Sequence, residues 1–225
     1  MTTAVLQPPS LFASPPPETG EFPRVVGLND NGRRMTIEEF DAIEDYDDEY
    51  RYELIEGILI VNAAPGPVEV DPNEELGFLL RLFAQQTPGV IDKTISEQFI
   101  RTHRSRRRAD RVIWIGLGHV PNIPQDIPTI AVEFLSAGRR SWQRDYVQKL
   151  EEYLAAGVKE YWLFDRFRRH LAVFRPKTEG GVETTVATAG MVYATPLLPG
   201  FELSIDRLLK CADDWIAIDT EVEPS

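Results

Sequence analysis

Two short, densely apolar segments that each carry one acidic residue most constrain the fold of this chain. DRVIWI covers residues 110–115, and TIAVEFL covers residues 129–135. Runs of this length and composition are typical of central strands that are covered on both faces of a sheet. Asp110 opens the first run, and Glu133 lies near the end of the second. Carboxylates at the ends of buried strands are costly to desolvate unless they bind a metal ion or a cation.

The segment that follows predicts a βαβ unit. Residues 142–156 have the apolar stripe of an amphipathic helix, and Gly157 fits its C-terminal cap. EYWLFD at 160–165 is a strand that we expect to run parallel to the strand at 129–135, after a right-handed crossover. HLAVFR at 170–175 then pairs antiparallel with it through a short turn.

The first half of the chain predicts two more helices and further strands. Thr36 and Glu39 have the spacing of a capping box, which begins a short helix. Residues 52–61 are strand-like, a helix is predicted from Asp71-Pro72 to Pro88-Gly89, and residues 90–100 alternate like a strand. The whole pattern predicts an α/β (α+β) protein with a mixed sheet flanked by helices.

The length of 225 residues suits one α/β domain. We expect a flexible Pro-rich extension over residues 1–34, the folded domain over 35–210, and an acidic tail over 211–225. The single cysteine, Cys211, excludes an internal disulfide and a cysteine-cluster metal site. No membrane span or secretion signal is recognisable, so a reducing cytoplasmic location is expected.

The net charge of −12 argues against nucleic acid as a partner unless positive charge is concentrated locally. Such a concentration exists in RTHRSRRRADR at 101–111, directly beside Asp110. One interpretation is contact with the phosphate backbone of DNA, and the other is a solvated loop that balances an acidic surface. The candidate DNA-binding residues are Arg101, Arg104, Arg106, Arg107 and Arg108.

If their strands are neighbours, Asp110 and Glu133 can both reach one Mg²⁺ ion, which accepts one or two carboxylates plus water and phosphate oxygens. Such an ion can polarise a phosphodiester. The alternative is structural: Asp110 caps a loop, and Glu133 pairs with an arginine at the sheet edge.

Two further residues are candidates for the same site. Glu53 is a third acid at a strand-like position, unless it is an exposed residue paired with Arg51. Lys149 is a cation placed to stabilise charge on a phosphoryl group, unless it forms a surface helix pair with Asp145 four residues earlier.

In their order along the chain, several segments together resemble the Uma-two-type restriction endonucleases of the PD-(D/E)XK nuclease superfamily. No single segment is specific for this family, but the ordered set of segments is a strong match to it. The segments are MTIEEF (35–40), YELIEG (52–57), AD (109–110), VEFLS (132–136), Lys149, AGVKEYWLFD (156–165) and LPGFELSIDRLL (198–209).

The resemblance implies a restriction-endonuclease-like fold and cleavage of DNA phosphodiesters that depends on Mg²⁺, or on Mn²⁺ in its place. Asp110 takes the place of the signature aspartate, Glu133 that of the second acid, and Glu53 that of an upstream acid. Leu135 stands where the signature lysine is usual, and Lys149 matches the helix lysine that replaces it in this family.

The chain also departs from the family pattern. Ala109 replaces the expected proline, and residues 69–71 stand where the family carries a histidine. A catalytically inactive binding or regulatory protein on the nuclease scaffold is therefore the alternative to an enzyme. DNA is the expected partner, and a homodimer is left open.

Overall fold

The computed structural model describes residues 24–123 and 125–221, with side chains described as far as residue 217. The strands are β1 (Tyr50–Ile55), β2 (Ile58–Ala63), β3 (Ile91–Arg101), β4 (Arg106–Ile115), β5 (Ile130–Phe134), β6 (Glu160–Asp165), β7 (His170–Pro176), β8 (Val182–Thr188), β9 (Val192–Ala194) and β10 (Glu202–Ser204). The α-helices are α1 (Ile37–Asp41), α2 (Pro67–Gln86), α3 (Arg139–Gln143), α4 (Leu150–Ala156) and α5 (Ile205–Glu221).

Eight strands of the described residues form one mixed sheet in the order β2-β1-β4-β5-β6-β7-β8, with β3 also paired to β4. β5 and β6 are parallel, and all the other neighbours are antiparallel. This confirms the predicted mixed sheet, the parallel pair that flanks a helical connection, and the β6–β7 hairpin. β9 and β10 form a separate small sheet.

Helices cover the two faces of the sheet. On one face, α2 and α5 bury an apolar cluster that includes Leu80, Phe83 and Leu208. On the other face, the segment from α3 to α4 covers a second cluster around Trp114 and Tyr153. Alternation along β5 divides its side chains between these clusters, which places the side chain of Glu133 on the α4 side.

The predicted helix over 142–156 is instead three consecutive pieces. α3 is followed by a π-helical turn, Arg144–Lys149, and then by α4, which ends at Gly157 in the left-handed conformation as expected. π-Helical turns inside helices occur frequently at functional sites. Here the turn buries both Asp145 and Lys149.

The predicted start of α2 was wrong by five residues. The helix begins at Pro67, whose missing N–H costs nothing in the first turn, and Gly66 precedes it as the N-cap. Pro72 therefore lies inside the helix rather than at its start. The capping box of α1 is confirmed, because Thr36 and Glu39 exchange hydrogen bonds with each other's backbone N–H.

The chain ends differ in part from the expected division into domains. Residues 1–23 of the expected extension lie outside the described residues, but Val26 and Asp30 are buried. At the other end, α5 continues beyond residue 210, so residues 211–221 of the expected tail are helical. No helix within the described part of the chain has the length and apolar character needed to cross a membrane.

α2 holds β4 in place beside Asp110. The Asn73 side chain donates to the Asp110 carbonyl over 2.9 Å and accepts from Arg111 Nε over 2.7 Å. The buried Arg111 guanidinium lies flat against Gly77, where a Cβ atom would come within 2.5 Å of it. Gly77 therefore gives the helix backbone the close approach that β4 needs.

We predict that Gly77→Ala lowers the free energy of unfolding. Alanine gains about 1 kcal/mol in helix propensity, but overpacking against the bonded Arg111 costs about 1–3 kcal/mol. Urea unfolding measures the balance. In an Arg111→Met background the clash disappears, and the same substitution should be neutral or stabilising. A stabilised Gly77→Ala single variant would contradict this account of the packing.

Candidate functional site

The site lies at a gap in the sheet along one edge of β4. β1 pairs with this strand at Arg106, and β5 pairs with it only at residues 111–113. Between these pairings the backbone of β4 has no strand partner on that edge. Buried backbone polar groups need hydrogen bonds, so side chains must supply them here.

Two of the predicted site residues bond the main chain of Arg108 in this gap. Glu53 Oε1 accepts from the Arg108 N–H over 3.0 Å, and Lys149 Nζ donates to the Arg108 carbonyl over 2.9 Å. Glu53 comes from β1, and Lys149 comes from the π-helical turn above the sheet. The gap in the sheet thus brings an acid and a lysine from distant parts of the chain together.

Asp110 and Glu133 lie on adjacent strands, β4 and β5, as predicted. Asp110 Oδ2 accepts from the Phe134 N–H over 2.6 Å, which joins the two strands at the site. Glu133 is buried, and its Oε1 accepts from the Tyr153 hydroxyl over 2.8 Å while its Oε2 lies 2.9 Å from Lys149 Nζ.

One cleft, with about 560 Å³ of empty space, is lined by all four predicted site residues, which are Glu53, Asp110, Glu133 and Lys149. The structural alternatives given for Glu53 and Lys149 do not hold. Arg51 pairs with Glu97 rather than with Glu53, and the buried Lys149 is not a surface residue. The structure therefore brings the four side chains together, while their catalytic role stays a prediction.

The pKa values of Asp110 and Glu133 are both raised. Burial is the largest cause for Asp110, whose pKa rises to about 6 although Lys149 acts in the opposite direction. Burial and the charge of Asp110 raise the pKa of Glu133 well above its usual value, again against Lys149. Acids that are held together without a metal cation repel each other, which favours proton uptake by at least one of them.

The charges of Glu53 and Lys149 are stabilised by their neighbours. Burial alone would raise the pKa of Glu53, but Lys149, Arg107 and the Arg108 N–H together lower it. Burial would likewise lower the pKa of Lys149, but Glu133 and Glu53 raise it. Lys149 is therefore a permanently charged ammonium group inside the protein.

The sequence interpretation missed several residues that line or support this cleft. Arg144 lines it and forms a bidentate pair with the buried Asp145 at 2.8 and 3.1 Å. Glu97 lies on β3 with φ of +56°, a strained conformation for a non-glycine residue, and its carboxylate lies 2.9 Å from both Arg51 and Arg108. Of these residues, only Asp145 could be singled out from the sequence, because it lies four residues before Lys149.

Glu69 stands in the region where the family pattern has a histidine, and it also lines the cleft. Its carboxylate caps the start of α2 at the Gly66 N–H over 3.1 Å and lies 3.7 Å from Arg166. Burial raises its pKa, with Arg166 acting in the opposite direction. An ionisable group therefore occupies this side of the cleft in place of the histidine.

The side chains fit a magnesium-type ion. Among the described residues, no group of three or more His, Cys, Asp or Glu side chains is arranged to hold a metal ion. Asp110 and Glu133 nevertheless supply the one or two carboxylates that Mg²⁺ requires from a protein when water and phosphate complete its shell. Asp110 also has no ion-pair partner in the described part of the chain, so the cleft contains an uncompensated carboxylate.

The arginine run is largely structural. β4 already begins at Arg106, so the second half of the run is a strand rather than a loop. Arg106 is buried against Asp41 at 2.7 Å, and Arg107 is buried against Glu152 at 2.5 Å, so neither guanidinium is available to DNA in this structure. Arg108 is half-buried beside Glu97, while Arg101 and Arg104 are exposed.

Comparison with solved structures places this architecture in the class of restriction-endonuclease-like nuclease folds. The crystal structure of "a putative nuclease belonging to DUF820 from Anabaena variabilis ATCC 29413" matches with a TM-score of 0.62. The sequence identity is 20%, over 79% of this chain and 99% of that one. No curated protein matches the chain.

The family Uma2, described as "Putative restriction endonuclease", matches residues 37–206, which is more than half of the chain. The chain belongs to this family. The family resemblance read from the sequence is thereby confirmed, and so is the restriction-endonuclease-like mixed sheet flanked by helices.

We predict that Asp110→Asn raises the free energy of unfolding at pH 8 in EDTA by about 1–3 kcal/mol. The folded carboxyl binds its proton more tightly than the unfolded one, so the wild type loses stability as pH rises from about 4 through 6. Urea unfolding at pH 4.5 and 8 should show a smaller gain at the lower pH. Glu151→Gln, at an exposed position, is the control, and an equal gain at both pH values would contradict the prediction.

Proposed function

We propose that this protein is a divalent-metal-dependent DNA endonuclease that hydrolyses phosphodiester bonds. The observation that supports this most is the convergence of Glu53, Asp110, Glu133 and Lys149 in one cleft of a restriction-endonuclease-like fold. Fold alone would not support an activity, because function depends on the site. Membership of the Uma2 family supplies the class of reaction, and the cleft supplies the groups that such a reaction needs.

In this proposal Asp110 and Glu133 hold the cation, Mg²⁺ or Mn²⁺. The ion supplies Lewis-acid polarisation of the phosphate and activation of water. Lys149 places a fixed positive charge at the floor of the cleft, where it stabilises negative charge that develops on the phosphoryl group. Glu53 positions Lys149, since its carboxylate lies 3.7 Å from the ammonium group and shares the Arg108 backbone with it.

A catalytically inactive nuclease-fold binding protein is the second candidate. It is favoured by the bonding of Glu133, whose two carboxylate oxygens are already occupied by Tyr153 and Lys149. A cation must compete with these contacts before Glu133 can bind it. The two candidates therefore differ first in metal binding and then in cleavage.

We predict that Mg²⁺ or Mn²⁺ raises the melting temperature of the wild type at pH 8. A ligand that binds only the folded state at about ten times its Kd adds about 1.4 kcal/mol, or about 3–6 °C for a chain of this size. Asp110→Asn should abolish the shift, and Glu151→Gln should retain it. Equal melting temperatures with and without either metal would count against a cation site at Asp110 and Glu133.

We predict that Glu133→Gln abolishes metal-dependent cleavage and that Lys149→Gln slows it by about 100-fold or more, the scale for loss of one preorganised electrostatic group. Lys149→Arg should recover part of the rate because it restores the charge. Plasmid nicking in Mg²⁺ and in Mn²⁺ measures the rates, with Glu151→Gln as the control. Circular dichroism checks that each variant is folded.

The wild type decides between the two candidates. A folded wild type that binds DNA but never cuts it in either metal supports the inactive scaffold. A wild type that neither binds nor cuts DNA overturns the proposed function.

A further inference from the structure

A second groove, with about 540 Å³ of empty space, lies directly beside the cleft. The loop after β5, α3 and the β6–β7 turn form its walls. Ser136 lines both the cleft and the groove, so the two are neighbours. The groove is lined by Leu135, Ser136, Gly138, Arg139, Trp142, Asp165, Phe167 and Arg168.

Two large aromatic side chains are partly exposed here, although the Arg166 guanidinium lies over the Phe167 ring, 4.1 Å from its centroid. Trp142 is 38% exposed, and Phe167 is 51% exposed. Trp142 stacks on Tyr146 with ring centroids 5.2 Å apart, and Arg168 lies over both rings at 5.8 and 5.4 Å. These contacts hold the indole in place and leave part of its surface open to a ligand.

Arginines surround the aromatic rings. Arg139 and Arg140 are exposed, and neither has a carboxylate within ion-pair distance among the described residues. The nearest carboxylate of Arg168 is Asp165 at 3.9 Å, and Asp165 is buried. In a chain with a net charge of −12, Arg139 and Arg140 therefore give this surface a local concentration of positive charge.

We propose that this aromatic–arginine surface (Arg139, Arg140, Trp142, Phe167 and Arg168) binds the substrate strand next to the scissile phosphate and stacks at least one unpaired base. The inference rests on the proposed function, since it takes the nucleic acid as the occupant of the adjoining cleft. Arginines that contact phosphates, interleaved with aromatic rings that stack on bases, are the two components of single-strand binding sites.

The surface chemistry favours a strand with unpaired bases over intact duplex. A duplex presents phosphates to the arginines, but its bases are stacked on each other and cannot cover Trp142 or Phe167. A second copy of this chain would also cover the aromatic rings, but a two-fold contact centred on this surface would bring the same arginines against each other. A polyanion with exposed base faces satisfies both the charge and the rings.

The test measures binding without cleavage. Fluorescence anisotropy in EDTA, with labelled oligonucleotides about 16 nucleotides long, compares a single strand with the matching duplex. Arg139→Ala/Arg140→Ala should weaken single-strand binding about 10-fold or more and reduce the slope of log K against log salt by about 1.4, for two lost phosphate contacts. The control is Lys159→Ala/Lys177→Ala, which removes two exposed charges at the opposite end of β6 and β7 and should bind like the wild type.

The aromatic residues are tested separately. Trp142→Ala/Phe167→Ala should weaken single-strand binding roughly 5- to 100-fold, the range for one stacked base, and change duplex binding little. Trp142→Phe should recover part of the loss because a smaller ring still stacks. Equal losses for single strand and duplex would overturn the role of an unpaired base.

Other outcomes overturn the inference as a whole. If Arg139→Ala/Arg140→Ala binds as tightly as the lysine control, the inference fails. It also fails if the wild type binds no oligonucleotide. An aromatic variant that binds normally but changes from dimer to monomer in size-exclusion chromatography would show a protein interface instead. If the wild type cleaves DNA and the arginine variants bind it like the wild type, only the role of this surface is refuted. If binding depends on this surface but no DNA is cleaved, only the nuclease activity is refuted.

Discussion

The site depends on the two side-chain hydrogen bonds made to the main chain of Arg108. On the edge of β4 that faces away from β3, Arg108 has no strand partner, and an unpaired backbone group there would cost about 1–3 kcal/mol. Glu53 and Lys149 supply the missing donor and acceptor from two different elements. Because each is buried and charged, each also helps the other, at 3.7 Å, to remain ionised, together with Glu133 beside Lys149 and Arg107 beside Glu53. The gap in the sheet therefore needs these charged residues to satisfy its backbone, and the charged residues need each other to stay buried and ionised.

The balance of charge in that opening bears on the proposed cation. Lys149 compensates Glu133 at 2.9 Å and Glu53 at 3.7 Å, while Asp145 is neutralised by Arg144. Asp110 has no ion pair in the described residues and receives only the Phe134 N–H. Without a cation, part of the negative charge must be removed by proton uptake, which is what the raised pKa values of Asp110 and Glu133 mean. A bound divalent ion removes the same excess and keeps both groups deprotonated.

The parts of the fold that could be predicted from sequence are those set by local pattern. The apolar runs of β4 and β5 and the capping box at Thr36 depend on neighbours in the chain, and they lie where expected. The pairing of Arg106 with Asp41 and of Arg107 with Glu152 spans 65 and 45 residues, so no local pattern distinguishes these arginines from solvated ones. The π-helical turn depends likewise on how Lys149 reaches into the sheet, a tertiary requirement with no signature of its own.

This difference changes how the arginines of the chain should be interpreted. Arg107 bonds Glu152 and lies 4.0 Å from Glu53, so it supports the side chain that positions Lys149. Removing it leaves the partly buried Glu152 without its ion pair and weakens the compensation of the buried Glu53. This is destabilising, so any loss of DNA binding in such a variant would report on the fold. Arg139 and Arg140 instead lie exposed in the first turn of α3, where their side chains are free to contact a ligand. The arginine-rich segment of the sequence therefore supports the structure of the site. The exposed arginines beside Trp142 are the ones that a phosphate backbone can contact.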